Sequence, residues 1–502
     1  MGAAAGESSS LHGRRRRRSW TRPAPLETAL DVRPATPRPG LRPLAALLLV
    51  LLGLTLHAGA LRGPFTDGQA GNCGAMFAIF ARNEHALGGL LATHGVPIVN
   101  PVPPAALDEA EFYTHHPPGL PWAVMLAGRL PIAIETAGRI VALLATLATA
   151  LLLADLAARL AGWRAALAAG TFALALPAGL HDGLLVNYET VAIPAALLLF
   201  RALLLDQGRP AVAGLLAALA DWVALLPLAL CWRGSQRGRW LAAASAAALV
   251  LVLWIVLAGE VAPASGAETL AQAVGTSVLA RDFSWGEWAA AVGRHLWTLF
   301  GAALLVAAAG LVAALVRGAS RLAGLLLRLL AFGALNLLLF ARHATGHEHY
   351  ALLLLPFVAL AAATALFPRD EAARPPAGLG ALLAGALLLL GGQQYRDAAP
   401  PRASVRQAEL ADAFGAVTST DELYLRPAGA SFVFLHRAGR HVVPQPVESL
   451  DAARSAADAL RARFGLGARP AFLVLVRDEP VPEWLAGRGP PQTRGELRFF
   501  PL

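Results

Sequence analysis

The sequence contains no lysine, and only 15% of its 502 residues are charged. A soluble globular protein carries about a quarter charged residues, so this shortage of charge excludes an ordinary soluble domain. Hydrophobic residues make up 56% of the chain, and the mean hydropathy is +0.54. These values indicate a polytopic membrane protein.

Cysteine and the common nucleotide and zinc motifs are also scarce or missing. The two cysteines, Cys73 and Cys231, fall on opposite sides of the membrane in the topology given below. We therefore expect neither a disulfide between them nor a cysteine metal site. The chain has no GxxxxGK[ST], no GxGxxG between a strand and a helix, and no HExxH, so nothing points to nucleotide binding or to a zinc helix.

Every basic side chain other than histidine is an arginine, and the formal net charge is +9. Such basicity fits binding to nucleic acid or to anionic lipid, but it also fits the arginine excess of cytoplasmic loops. We favour the topological interpretation and expect no nucleic-acid partner. Residues 1–42 are rich in Ser, Pro and Arg without periodicity, which predicts a disordered cytoplasmic tail.

Apolar segments of spanning length recur along residues 43–393. Short arginine-bearing linkers place alternate ends of these segments in the cytoplasm. Both flanks of the segment 211–231 are basic, so we predict a helical hairpin there that turns near Asp221-Trp222. The count is then about eleven transmembrane helices in the plasma (inner) membrane, with the N-terminus cytoplasmic and the C-terminus extracytoplasmic. The predicted segments are 43–61, 137–158, 164–180, 190–205, 211–231, 239–258, 293–316, 321–341, 351–367 and 377–393.

The first outer loop, residues 62–136, is too polar to cross a bilayer and too apolar to be a plain solvated loop. Structureless loops of this length are uncommon unless they are functional or disordered. Within the loop, 75–90 has the pattern of a helix lying in the interface plane. Further outer loops at 181–190, 260–292 and 342–350 carry acids or histidines, so we expect them to meet the first loop at a site.

Residues 394–502 change character. The stretches DELYLR, SFVFLHR, RPAFLVLVRD and ELRFF alternate or run apolar at strand length, and 447–465 has helical spacing. The sequence therefore predicts an all-α polytopic membrane domain followed by a small extracytoplasmic α/β domain.

A reaction on the outer side, away from cytosolic nucleotides, must use an activated donor already in the membrane. Polyprenyl-phosphate sugars are such donors. A transferase that uses one needs a carboxylate base to deprotonate the acceptor, and cationic or hydrogen-bonding groups for the departing lipid phosphate.

The order of several stretches resembles a known family. GNCGAMFAIFARNE, FYTHHPPGLPW, a helix that starts near Glu135 and Arg139, VNYETVAIP and HEHYALLLLPF follow one another. This set is similar to the bacterial GT-C glycosyltransferases of the protein mannosyltransferase and aminoarabinose transferase superfamily, over roughly residues 43–395. The resemblance implies inverting transfer of a hexosyl or pentosyl group from a polyprenyl phosphate to a glycan, lipid or protein acceptor of the cell envelope.

The chain departs from the family pattern about nine positions before Arg82, where an acid is usual and Cys73 stands. Asp67 with a shifted loop, or Glu189 in a later outer loop, is then expected to be the base. No cofactor is implied with certainty, and a divalent metal stays an open requirement although no metal ligands are assigned. The residues predicted to bind the donor and its lipid phosphate are Arg82, His116, Arg342, His347, His349 and Tyr350.

Two other functions stay open on the sequence. A transporter or flippase of a lipid-linked substrate predicts polar residues lined up within the spans, where only Asp155, Asp221 and Asn336 are notable. A non-catalytic membrane scaffold is kept open by the missing acid next to Asn72. The concentration of chemistry in outer loops favours the enzyme.

Overall fold

The computed structural model describes residues 41–66, 69–232, 234–262, 283–369, 378–398, 406–426, 431–444, 447–463, 467–486 and 490–502. The predicted tail up to residue 40, the predicted base Asp67 and most of the outer loop 260–292 lie outside the described residues.

Between residues 41 and 398 the described residues are mostly helical, apart from the irregular stretch 87–118, and the apolar segments form helices close to their predicted positions. Five of the described helices are long and apolar enough to cross a membrane, or six if one bent pair is a single span. The count of eleven therefore stays a prediction. The helices are α1 Pro43–His57, α2 Gln69–Ala86, α3 Gly119–Ala127, α4 Ile134–Ala161, α5 Trp163–Ala175, α6 Pro177–Asp182, α7 Tyr188–Leu204, α8 Pro210–Ala220, α9 Leu226–Leu230, α10 Arg237–Val261, α11 Trp285–Phe300, α12 Ala302–Val316, α13 Ser320–Leu339, α14 Ala341–Gly346, α15 Leu355–Leu366 and α16 Leu379–Ala398.

The predicted continuous segment 293–316 is wrong, because the chain bends by 94° between α11 and α12. The bend lies at Gly301, whose φ of +50° is in the left-handed region. Glycine adopts this conformation without the steric cost of a Cβ atom. The bend turns α11 toward the segment 343–350, which it contacts.

Helix α8 ends at Ala220, and Asp221 is extended with φ −174° and ψ 161° before a short 3₁₀ turn. The chain thus leaves the helix where the turn near Asp221-Trp222 is predicted. The break frees Asp221 to extend its carboxylate away from the helix axis.

The helix predicted in the first loop is present as α2, and its placement in the interface plane stays a prediction. In α2, Phe77, Ile79 and Phe80 are all 0% exposed. Helices α3 and α4 contact one side of α2, and a helix of the C-terminal unit contacts another. The apolar side chains that suggested contact with lipid are therefore covered by protein.

Glycine is required near the start of α2. A Cβ atom on Gly74 would lie 2.3 Å from the ring of Phe65. The guanidinium of Arg139 lies over the ring of Phe65, 4.9 Å from the ring centroid. The same guanidinium donates hydrogen bonds of 2.8 Å to the carbonyls of Gly63 and Pro64. The start of the first loop is thereby fixed on α4.

The C-terminal unit is an α/β fold around a five-stranded sheet of order β2-β1-β3-β5-β4. Strands β1, β2 and β3 are parallel, whereas β5 runs antiparallel to β3 and to β4. Its placement on the outer face stays a prediction. The elements are α17 Arg406–Val417, β1 Leu423–Arg426, α18 Phe432–Ala438, β2 His441–Pro444, α19 Leu450–Arg463, β3 Ala471–Val476, α20 Glu483–Ala486, β4 Gln492–Arg494 and β5 Leu497–Pro501.

One predicted strand of this unit, SFVFLHR, is wrong because it forms α18. The side chain of Ser431 accepts a hydrogen bond of 3.2 Å from the backbone N–H of Phe434, which caps the helix start. Gly439 ends the helix in the left-handed conformation. These local signals outweigh the β propensity of the aromatic and branched residues between them.

Helix α18 also joins the unit to the first loop. The backbone N–H of Val433 lies 3.4 Å from Oδ1 of Asn72. Nε2 of His436 and Nη1 of Arg437 lie 3.4 Å and 3.6 Å from Oε1 of Glu135. Helix α2 is therefore held between the membrane-type helices and the C-terminal unit.

Candidate active site at the loop end of the bundle

We use "loop end" for the end of the helix bundle where residues 113–116, 181–189, 221–222 and 343–350 lie. Several histidines and acids that are far apart in the sequence meet there as side-chain pairs.

His116 pairs with an acid from another part of the chain. Its Nδ1 lies 3.0 Å from Oδ1 of Asp221, a residue that is 3% exposed. The ring of Tyr188 stacks on the imidazole with centroids 4.1 Å apart and planes 14° apart. A carboxylate partner requires the proton on Nδ1, so Nε2 is left to interact with a bound molecule.

Glu189 is a buried carboxylate in the first turn of α7, ahead of the apolar segment 190–205. It is 6% exposed, and its Oε1 lies 3.8 Å from Nε2 of His349. Its Oε2 has no hydrogen-bond partner within the described residues. Burial, reinforced by the negative charge of Asp221, raises the pKa of Glu189 to about 8. This carboxyl is therefore poised to exchange a proton near neutral pH.

A second histidine–carboxylate pair links two loops. Nδ1 of His181 lies 2.8 Å from Oδ1 of Asp182, and its Nε2 lies 3.6 Å from Oε1 of Glu348. The hydrogen bond to Asp182 outweighs burial and raises the pKa of His181 to about 9. His181 is thus a cation at neutral pH that holds the segment 343–350 against α6.

The segment 343–350 carries four aromatic and imidazole rings that contact one another. The rings of His343 and Tyr350 are parallel within 8° with centroids 5.8 Å apart, and those of His347 and His349 lie 5.5 Å apart. Asn336 on α13 donates a hydrogen bond of 2.9 Å to the carbonyl of Tyr350. Burial lowers the pKa of both His343 and His347, which favours neutral rings that each offer one donor and one acceptor.

The remaining predicted residues occupy different surroundings. Arg82 donates to the backbone carbonyl of His436 at 3.2 Å and also to that of Pro101. Burial lowers its pKa to about 10, so it stays charged at neutral pH while its N–H groups face the backbone. Arg342 is exposed at the start of α14. Tyr350 lies within electrostatic reach of Glu189 and Asp221. The structure thus gathers five of the eight predicted site residues: His116, Glu189, His347, His349 and Tyr350.

The position that breaks the family pattern faces the same cluster. Cys73 is 8% exposed and lies within electrostatic reach of Tyr113 and Tyr350. Burial is the largest cause of a raised pKa at Tyr113, and the charges of Asp221, Cys73 and Glu189 add to it. A thiol therefore stands where the resemblance calls for a carboxylate, and Glu189 is close enough to act on the same region.

Among the residues that the structure describes, no three His, Cys, Asp or Glu side chains are grouped to hold a metal ion. Asp67 is outside that set, so a requirement for a divalent metal stays a prediction.

Sequence reasoning missed three contributors to this cluster. Asp221 was noted as an acid within an apolar segment, but its pairing with His116 spans 105 residues and has no local signature. Tyr188 belongs to the stretch VNYETVAIP, but its stacking on His116 has no signal in the sequence. His295, on α11, has a buried Nε2 without a hydrogen-bond partner in the described residues, and the bend at Gly301 could not be read from composition.

Several solved structures share this fold. The aminoarabinose transferase ArnT of Cupriavidus metallidurans, bound to undecaprenyl phosphate, has 15% sequence identity and a TM-score of 0.59, covering 86% of this chain and 93% of ArnT. The oligosaccharyltransferase of Archaeoglobus fulgidus, in complex with Zn and sulfate, has 12% identity and a TM-score of 0.54, covering 86% of this chain and 68% of that protein. Both are GT-C glycosyltransferases. The chain has the GT-C fold.

The same archaeal enzyme, AglB, in complex with an inhibitory peptide and a dolichol-phosphate, has 12% identity and a TM-score of 0.50, covering 86% of this chain and 69% of AglB. No family model and no curated protein matches the chain. The GT-C fold implied by the ordered motifs is confirmed, and at these identities the likeness concerns the fold alone.

On this fold, the cluster can do three things chemically. Glu189 can accept a proton, His116 can present an oriented Nε2, and the neutral imidazoles of 343–349 can donate hydrogen bonds to an oxyanion.

Proposed function

We propose that this protein is a membrane glycosyltransferase that moves a sugar from a polyprenyl-phosphate donor to an acceptor on the extracytoplasmic face. The acceptor is a glycan, lipid or protein of the cell envelope. The loop end of the bundle is then the extracytoplasmic end.

One observation carries this proposal. On a GT-C fold, Glu189 is buried with one carboxylate oxygen unpartnered within the described residues, beside His349 and within the reach of the Asp221 charge. A buried acid with a pKa near the working pH is what a general base needs. Solvent-exposed loop acids keep their usual acidity and hold a proton poorly at neutral pH.

The sugar is transferred in one displacement at its anomeric carbon. Glu189 removes the proton from the acceptor hydroxyl, and the oxygen forms a bond to the anomeric carbon. The bond between that carbon and the phosphate oxygen breaks, and its electron pair leaves with the polyprenyl phosphate. The imidazoles of 343–349 and Nε2 of His116 stabilise the charge on the departing phosphate. Asp67 is the alternative base.

The polar residues within the spans support an enzyme over a transporter. Oδ2 of Asp155 is 3.0 Å from Nε of Arg159 and 3.1 Å from Nε of Arg201. Asn336 supports Tyr350, and Asp221 supports His116. Each is engaged by near neighbours, so these residues do not form a file of polar groups across the bilayer.

The test uses the full chain reconstituted in lipid vesicles. Polyprenyl-phosphate monosaccharides are offered as a panel with cell-envelope acceptors, and release of free polyprenyl phosphate is measured. We expect release with at least one donor, and its abolition in the variant Asp67→Asn/Glu189→Gln. The matched control is Asp108→Asn/Glu287→Gln, which changes the same residue types at exposed positions and should keep the wild-type rate.

Full release by a folded Asp67→Asn/Glu189→Gln protein would refute the assignment of the base. Movement of labelled lipid between leaflets without release from any donor would instead identify a flippase.

A further inference from the structure

The end of the bundle opposite the loop end holds a cavity of about 420 Å³. It is formed where α4, α12 and α15 end and α13 begins. Its polar rim includes Arg317, Ser320 and Arg321, and its wall includes Leu160, Ala314 and Leu322.

The position of the cavity follows from α4, which is 28 residues long. Glu135 lies in its first turn, at the loop end, whereas Leu160 and Ala161 in its last turn line the cavity. At a rise of 1.5 Å per residue the two sites are about 40 Å apart, which matches the thickness of a bilayer with its headgroup regions. The cavity therefore lies at the other membrane surface, away from the histidine–carboxylate cluster.

Two guanidinium groups at the rim are available to bind an anion. Arg317 is exposed and Arg321 half-buried, and within the described residues neither forms an ion pair or a side-chain hydrogen bond. Gly318 between them has φ +65°, a left-handed turn that joins α12 to α13. Arg369 also lines the cavity, but it has interactions of its own, so the inference depends on Arg317 and Arg321.

Below the rim the cavity is lined mainly by apolar side chains. Leu160, Ala314 and Leu322 form its wall. A Cβ atom on Gly310 would lie 2.5 Å from the carbonyl oxygen of Ala361, so α12 and α15 touch at the floor. The cavity thus combines a cationic rim at the membrane surface with an apolar interior.

We propose that this cavity binds an anionic phospholipid. The phosphate lies between the guanidinium groups of Arg317 and Arg321, which are suited to bidentate phosphate contacts. Part of one acyl chain lies against the apolar wall. Basic pockets between transmembrane helices on the cytoplasmic side recognise lipid headgroups in this way. The inference is independent of the proposed transferase activity.

The experiment measures lipid binding to the full chain in a neutral detergent by native mass spectrometry. Phosphatidylglycerol is titrated against wild type and against Arg317→Gln/Arg321→Gln. Each arginine near an anionic headgroup contributes about fivefold in affinity, so we expect about a 25-fold loss in the double variant. The matched control is Arg209→Gln/Arg237→Gln, which removes two arginines from the same end of the bundle outside the cavity and should bind like wild type.

A third variant tests the apolar part. Ala313, which also lines the cavity, is replaced by leucine to narrow it, and we expect weaker binding of phosphatidylglycerol with both arginines intact. An equal loss in the Arg209/Arg237 control would show attraction by surface charge alone and would overturn the proposal. Competition by inorganic phosphate as strong as that of the lipid would overturn the lipid identity in favour of a free-phosphate site.

Discussion

The two ends of the helix bundle use charged side chains differently. At the loop end, buried acids pair with half-buried histidines, as in His116–Asp221 and His181–Asp182. At the opposite end, arginines predominate, and the half-buried acid Asp155 is neutralised by Arg159 and Arg201. The hydrogen bond to Asp182 raises the pKa of His181, whereas arginine keeps its charge at neutral pH. The first arrangement suits chemistry, and the second suits anchoring at a membrane surface.

The largest effect should come from Glu189→Gln alone. Glutamine keeps the shape and removes the base, so we expect release of polyprenyl phosphate to fall by about 10²- to 10⁴-fold. Vesicle assays of this single variant beside Asp67→Asn separate the two predicted bases. A rate within twofold of wild type for Glu189→Gln, with a large loss for Asp67→Asn, would assign the proton transfer to Asp67.

The next largest effect is expected for Asp221→Asn. The amide can no longer require a proton on Nδ1 of His116, so the Nε2 that faces the donor is misoriented. Misplacement of a catalytic group can cost about 10²-fold, and we expect a loss of about 10- to 100-fold in turnover by the folded protein. Asp206→Asn, at an exposed acid paired with Arg239, is the control. If Asp221→Asn and Asp206→Asn turn over equally fast, the His116–Asp221 pair has only a structural role.

The His116–Asp221 pair also shows what the sequence can and cannot reveal. Apolar runs of spanning length locate the helices, because hydrophobicity is a local property of the sequence. The motifs indicate the GT-C fold, because their order can be read along the chain. The pairing of side chains 105 residues apart depends on how α8 breaks and packs, which composition does not encode. Individual site residues could be proposed, but their partners could not.

Apolar patterns misled at two places, one decided by tertiary packing and the other by helix capping. The apolar face of α2 suggested lipid, yet α18 covers it. The run SFVFLHR suggested a strand, yet a serine cap and a terminal glycine make it a helix. Packing against neighbouring elements decided the first case, and the capping signals at the two ends of the segment decided the second.

The pH dependence of turnover tests whether Glu189 at the loop end is the base. Because burial raises the pKa of Glu189 to about 8, this carboxyl is mostly protonated at pH 7 and ionises as the pH rises. A base acts only when ionised, so turnover should increase about tenfold per pH unit up to pH 8 and then level off. The rate of donor cleavage is measured from pH 6 to 9. A rate that is constant across this range would indicate a base already ionised at its lower end and would contradict the role of Glu189.

The smallest effect on activity is expected at the opposite end. Asp155→Asn removes the charge that Arg159 and Arg201 share and leaves two half-buried guanidinium groups without their anion. Hydrogen bonds to charged groups contribute about 1.5–3 kcal/mol each, so we expect a lower thermal midpoint, while polyprenyl-phosphate release by the folded fraction stays within about twofold. Asp206→Asn again serves as the comparison, since its pair with Arg239 is more exposed and such pairs contribute about 0–1 kcal/mol. A large loss of turnover in Asp155→Asn at an unchanged thermal midpoint would mean that the two ends are coupled. It would contradict the assignment of chemistry to the loop end alone.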